Sequence, residues 1–170
     1  TAAICVSRPT NPTGNVITDD ELAGLNQLAL SHNVPLIIDN AYGTPFPNIL
    51  FTEAKPLWND NTILLLSLSK LGLPGVRTGI VVASEAVIRA FSNANAVLNL
   101  ASGNLGPALV QPLVETGELI KLGREVVGSH YQRKVSEALV ICRAALAGTP
   151  YRVHKPEGAI FLWFWLLVRG

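Results

Sequence analysis

Neither sign of charge predominates in these 170 residues: 13 Lys and Arg stand against 12 Asp and Glu, and charged residues make up only 15%. There is no basic or acidic excess to draw the chain to nucleic acid or to an acidic membrane, so the expected partner is a small molecule or another copy of the chain. Long hydrophobic runs are missing as well. Although the mean hydropathy is positive, +0.35, the longest uninterrupted apolar stretch, residues 159–168, falls well short of the roughly 20 residues a spanning helix needs. Cysteine is scarce. Cys5 and Cys142 lie far apart, in an expected strand and an expected helix, a pattern that fits reduced, buried thiols of the cytoplasm better than a disulfide framework. His32, His130 and His154 are scattered without metal-ligand spacing, so no metal site is expected. Repeats, low-complexity linkers, a signal peptide and a lipid anchor are not visible either.

What is present is apolar: 49% of the residues are hydrophobic, enough for about one domain with a sizeable core. The chain starts at Thr1 rather than at a methionine and stops at Gly170 just after an apolar run, so it is expected to be a segment of something longer. Residues 2–7 read as a buried strand that breaks into Arg8-Pro9-Thr10-Asn11-Pro12-Thr13-Gly14, where two prolines and a glycine force an irregular loop. Thr18 with Glu21 three residues on makes a capping box, followed by Leu22, Leu25, Leu28 and Ala29 at helical spacing, and the helix is expected to end near His32. Residues 34–38 form a second buried strand, terminated by Asp39-Asn40-Ala41-Tyr42-Gly43. Strand, helix and strand make one crossover unit. Residues 45–61, with three prolines, read as a loop or broken helix, and 62–66 as the next buried strand.

That third strand delivers Ser67-Leu68-Ser69-Lys70 to a turn, Gly72-Leu73-Pro74-Gly75-Val76-Arg77. A lysine at the carboxyl end of such a strand sits where open α/β sheets place ligands, and an amine held among apolar neighbours is suited to attack a carbonyl. The hydroxyl of Ser67 and the guanidinium of Arg77 are suited to a phosphate. Residues 78–83 follow too closely for a full crossover helix, so they are expected to run antiparallel or at an edge. Ser84 caps a helix with Val87, Ile88 and Phe91 on one face. After Gly103 and Pro107 a short helix runs to about Glu115, and nothing in the sequence ties Ser102, Gly103 or Asn104 to the lysine. Residues 117–146 carry Leu119, Leu122, Val126, Tyr131, Val135, Leu139, Cys142 and Leu146 at steps of mostly three and four, which predicts one long amphipathic helix of the kind that bridges two bodies. Gly148 and Pro150 stop it; residues 152–154 can extend, and 159–168 read as a strand of a following domain.

Three loops after predicted strands thus carry Asn11, then Asp39 with Tyr42, then Ser67 with Lys70 and, further along the same loop, Arg77. The motifs P-x-N-P-T-G at 9–14, D-x-x-Y at 39–42, S-x-S-K at 67–70 and the downstream arginine, in this order, resemble the fold-type I pyridoxal-phosphate aminotransferases over essentially the whole chain. The resemblance implies an α/β fold: the large domain of that family, a mostly parallel sheet flanked by helices, as residues 1–116, an interdomain helix at 117–148 and the start of an α+β small domain at 149–170. It implies pyridoxal 5′-phosphate as cofactor, bound by Asn11, Asp39, Tyr42, Ser67, Ser69, Lys70 and Arg77. Lys70 would be the catalytic residue, holding the aldehyde as a Schiff base and moving a proton. Asp39 would face the pyridine nitrogen, Tyr42 and Asn11 the ring oxygen, and Ser67 and Arg77 the phosphate. Within the family, the wording of 67–79, 103–107 and 154–163 points to transamination between valine, or a similar aliphatic amino acid, and pyruvate.

One departure is visible: many members have a residue more between the lysine and the arginine, whereas here Leu71 leads directly into Gly72, and the assignment of Arg77 suffers most. The resemblance also implies a homodimer with amino-acid and 2-oxo-acid substrates, and it puts a phosphate-binding loop before Thr1 and a substrate-binding arginine after Gly170, so the 170 residues alone are expected not to catalyse. Two other functions use the same constellation. One is a related enzyme that eliminates or breaks a bond at Cβ, such as a C–S lyase, which amino-group transfer from valine would separate. The other is the effector domain of a transcription regulator, which would carry an attached basic module, and no basic cluster lies in this chain.

Overall fold

The computed structural model describes residues 1–101 and 103–167. Its core is a four-stranded sheet in the order β1 (Ile4–Ser7), β2 (Leu36–Asp39), β3 (Thr62–Ser67), β4 (Gly79–Val82). The first three strands are parallel, with Ser7, Asp39 and Leu65 in one register row, and β4 returns antiparallel with Gly79 opposite Ser67. The short connection before β4 leaves no room for a crossover, and the strand lies antiparallel at the sheet edge as its sequence position requires.

Helix α1 (Asp19–Ser31) makes the crossover from β1 to β2. Its start is fixed by the expected capping box: Glu21 N–H donates to Thr18 Oγ1 at 3.2 Å and Thr18 N–H to Glu21 Oε2 at 2.9 Å. The Thr18 backbone N–H, and then its hydroxyl, hold the Glu21 carboxyl below the usual carboxylate range. Leu22 and Ala29 of α1 are buried against Leu36, Ile38, Leu64 and Leu66, which share one face of the sheet because side chains alternate along each strand. Leu28 is 49% exposed rather than part of this face. Cys5, expected to be buried, is exposed. It belongs to the opposite face, in the register row of Ile37 and Ile63, on the outermost strand.

Helix α2 (Glu85–Asn99) buries no residue, and Phe91, expected on its inner face, is half-exposed. Helix α3 (Leu105–Glu115) contributes Gly106 and Val110 to the interior; Ser102 lies outside the described residues. The helical backbone of 118–145 is continuous but not uniform: α4 (Glu118–Leu122) passes into a π-helical segment (Gly123–Gly128) and then α5 (Ser129–Ala145). The cause lies in two glycines. A Cβ on Gly123 would stand 3.1 Å from the Pro47 carbonyl oxygen and one on Gly128 2.5 Å from that of Asn48, so the widened turn rests directly on the 46–48 backbone. The expected inner residues Leu122 and Val126 consequently face outward, while Leu119 and Val135 are buried.

Beyond the helix, β5 (Tyr151–Val153) pairs antiparallel with β6 (Phe164–Leu166). The strand expected over 159–168 is therefore much shorter, and Val168 lies outside the described residues. Residues 157–159 are instead drawn into the main body: Glu157 N–H donates to Gly14 C=O, Phe51 N–H to Glu157 C=O, and Ala159 N–H to Ile49 C=O, at 2.8–3.1 Å. Ala159, fully buried, adopts φ +61° there, which breaks the extended run. Among the described residues no helix is long and apolar enough to cross a membrane.

Candidate active site

The carboxyl ends of β1, β2 and β3 open on one edge of the sheet, and the antiparallel return of β4 brings the residues before it to the same edge. At the end of β2, Arg8 N–H donates to Asp39 C=O at 2.9 Å and Asn40 N–H to Leu65 C=O at 2.8 Å, so the ladder runs past the strand ends and holds this turn rigidly. Asp39 Oδ1 accepts from Ala41 N–H at 2.9 Å, an Asx turn that fixes the carboxyl and leaves Oδ2 to a further donor. Gly43 is required here because a Cβ would run into the Arg8 carbonyl oxygen. The chain then places Tyr42 at 8% exposure.

At the end of β3, the fully buried Leu68 anchors the next turn, Ser67 Oγ accepts from Ser69 N–H at 3.2 Å, and Lys70 lies in a one-turn 3₁₀ helix, Ser69–Leu71. Gly72 ends that turn at φ +96°, a second 3₁₀ turn (Pro74–Val76) follows, and Arg77 ends it at φ +48°. Two successive left-handed stops are how the shortened loop closes. Leu68 N–H donates to Thr78 C=O at 3.2 Å, which keeps Arg77 beside the serine turn.

Side chains from the turns that follow β2 and β3 converge, Tyr42 from one and Lys70 from the other. The Lys70 Nζ stands 5.3 Å from the centroid of the Tyr42 ring, within cation–π range. Arg77 is exposed, and no hydrogen bond joins it to Ser67 or Ser69 among the described residues; nor does one join Asn11, exposed in the turn after β1, to Tyr42. A groove of about 630 Å³ lined by Thr44, Asn48, Lys55 and Arg124 contains none of these residues, so cavity size does not mark this site. The cluster at Lys70 is an open, half-buried edge.

Three neighbours escape a reading of the sequence. Phe161 packs edge-on against Tyr42, centroids 5.4 Å apart at 71°. Asn40, 3% exposed, donates from Nδ2 to Thr44 C=O at 2.7 Å, while its Oδ1 has no partner among the described residues. Arg8 is buried and donates to Ile17 C=O, Lys55 C=O and Asp19. Polarity inside a turn signals only the turn, and Phe161 sits in a run whose apolarity reads as strand.

Residues 1–166 match the aminotransferase class I and II family, and the chain belongs to it. It is 53% identical to the valine–pyruvate aminotransferase of Escherichia coli K12 over 97% of its own length. The crystal structure of valine-pyruvate aminotransferase from Salmonella typhimurium LT2 superimposes with a TM-score of 0.92 at 53% identity over 98% of the chain. An aspartate aminotransferase of Thermus thermophilus, at 22% identity and TM-score 0.77 over 94% of the chain, shares the fold alone. The chain spans about two-fifths of these proteins: 40%, 43% and 41% of their lengths.

Proposed function

We propose that the protein carrying this chain is a pyridoxal-phosphate-dependent aminotransferase that moves the amino group of valine, or a similar aliphatic amino acid, to pyruvate, giving alanine and the branched 2-oxo acid. The observation that carries the reading is the Lys70 amine held over the Tyr42 ring, on the sheet edge where Asp39 and Ser67 also end. The choice of valine and pyruvate rests on the 53% identity to the Escherichia coli enzyme.

This donor set fits a phosphorylated pyridine aldehyde. Its amine suits the aldehyde, its fixed carboxyl a ring nitrogen, its phenol a ring oxygen, and its hydroxyls and guanidinium a phosphate. When bound, the cofactor supplies an electron-withdrawing ring that accepts the electron pair released when the substrate's Cα–H bond breaks. Lys70 takes that proton as general base and returns it as general acid. Asp39, oriented by the Ala41 N–H, would keep the ring nitrogen charged. Tyr42 and Asn11 would donate to the ring oxygen, and Ser67, Ser69 and Arg77 would hold the phosphate, Arg77 by charge-assisted contacts.

Residues 1–116 serve in this reading as cofactor domain, 117–148 as interdomain helix and 149–170 as the start of a small domain. Two copies pair as a homodimer; exposed apolar side chains such as Val97, Leu98 and Leu100 support a covering partner. The free thiols of Cys5 and Cys142 support a cytoplasmic setting. The test, on the full-length protein that carries this chain, is alanine formation from valine and pyruvate with added pyridoxal phosphate. Turnover of order 1 to 10³ per second supports the reading; elimination products in place of alanine overturn it.

A further inference from the structure

We infer that Phe161 is a positioning residue for Lys70, acting through the Tyr42 ring; this rests on the reading of Lys70 as the proton-moving amine. A lysine amine on a four-carbon stem has many rotamers, and a half-buried 3₁₀ turn does not select among them. The Tyr42 face selects one, with Nζ 5.3 Å from its centroid. That selection is only as good as the orientation of the ring, and Tyr42 projects from an irregular turn rather than a regular strand.

Phe161 supplies the missing constraint. Its ring meets Tyr42 at 71°, the edge-to-face arrangement that the quadrupoles of two aromatic rings favour. Phe161 is itself held. Ile49 N–H donates to Tyr42 C=O at 2.8 Å and Ala159 N–H to Ile49 C=O at 2.9 Å, so one backbone chain links the tyrosine to the segment that carries the phenylalanine. Glu157 Oε2 accepts from Val16 N–H at 3.1 Å, and a Cβ on Gly158 would stand 2.9 Å from the Ile49 carbonyl oxygen, so this segment cannot lift without breaking several contacts. The left-handed turn at Ala159 points the chain back toward Tyr42.

The test compares the full-length wild-type protein that carries this chain with its Phe161→Leu variant, which keeps an apolar side chain and removes the ring edge. Stripped of cofactor, each is treated with dilute acetic anhydride, and acetylation of Lys70 is followed by peptide mass spectrometry with Lys55, Lys121, Lys134 and Lys155 as internal standards. Released from the ring, Lys70 is expected to react about twofold to tenfold faster while the four standards stay unchanged; in the loaded enzyme kcat falls by a similar factor with little change in KM for valine. Phe161→Tyr, which keeps the edge, is expected to restore both values. Lys70 labelling at the wild-type rate, a parallel rise at all five lysines, or failure of Phe161→Tyr to restore the values overturns the inference. If Phe161→Leu loses its thermal unfolding transition, Phe161→Met carries the same comparison. Failure of the aminotransferase reading shows separately, as wild-type protein that makes no alanine, and the labelling still reports on Phe161.

Discussion

Arg8 Nη2 donates to Asp19 Oδ1 at 2.6 Å, joining the end of β1 to the start of α1. The arginine side chain is 3% exposed and the aspartate 44%, so a buried cation is neutralised from the surface. The Arg8 hydrogen bond, and then the Lys55 backbone N–H, hold the Asp19 carboxyl below the usual carboxylate range. A carboxyl depressed on folding contributes stability above its unfolded value, and that contribution is lost as the pH falls through the folded one. Asp19→Asn is expected to cost about 1–3 kcal/mol in urea unfolding at pH 7, because Arg8 stays buried with only carbonyl acceptors. The difference from wild type should shrink as the pH falls below about 4; a constant difference would mean that the ion pair is not its source.

The two helical glycines Gly24 and Gly128 should respond oppositely to alanine. Among the described residues nothing lies within 4 Å of a Cβ on Gly24, whereas one on Gly128 meets the Asn48 carbonyl oxygen at 2.5 Å. Gly24→Ala is expected to stabilise by about 0.5–1 kcal/mol and Gly128→Ala to destabilise by about 1–3 kcal/mol. Thermal unfolding midpoints that move in the same direction would contradict the close approach of the π segment to residues 46–48.

Arg77 sits at φ +48°, a conformation that costs an L-residue roughly 1–2 kcal/mol. Arg77→Gly should raise the unfolding midpoint and weaken pyridoxal phosphate binding about 10- to 100-fold, the loss expected for charge-assisted contacts to phosphate. Arg77→Lys should lose less affinity and gain no stability. Fluorescence titration with the cofactor separates the two, and unaltered affinity in Arg77→Gly would remove the arginine from the phosphate site.

Asp39→Ala should still capture the cofactor on Lys70 but lose about 10²- to 10³-fold in turnover, since the charge that stabilises the developing carbanion is gone. Wild-type turnover in this variant would make Asp39 a purely structural turn residue, serving Ala41 alone.

The parts of this fold that were legible in the sequence are those where local chemistry and tertiary position agree. The Thr18–Glu21 box starts α1 in isolation as it does in the fold, and the buried strands 36–39 and 62–67 are apolar because both the helix and the sheet interior require it. The short span between Lys70 and Gly79 forces β4 antiparallel by chain length alone. What escaped notice depends on contacts far along the chain. The inward five-residue step that marks the π segment runs from Gly123 to Gly128, two residues with no apolar side chain to show it, and only the backbone of residues 46–48 explains it. Cys5 looks like core because its strand is apolar, yet which face is covered depends on where α1 packs. Phe161 reads as one more residue of a strand until Ala159 turns the chain onto Tyr42.

If Lys70 holds the cofactor, a covalent trap will find it there. The direct measurement is to load the protein with pyridoxal phosphate, reduce it with borohydride, and locate the fixed cofactor by peptide mass spectrometry in wild type and in Lys70→Ala. The added mass is expected on Lys70 in wild type and missing from the variant, while Lys55, Lys121, Lys134 and Lys155 remain unmodified in both. Stoichiometric fixation in Lys70→Ala, or fixation on another lysine of the wild-type protein, would contradict that assignment.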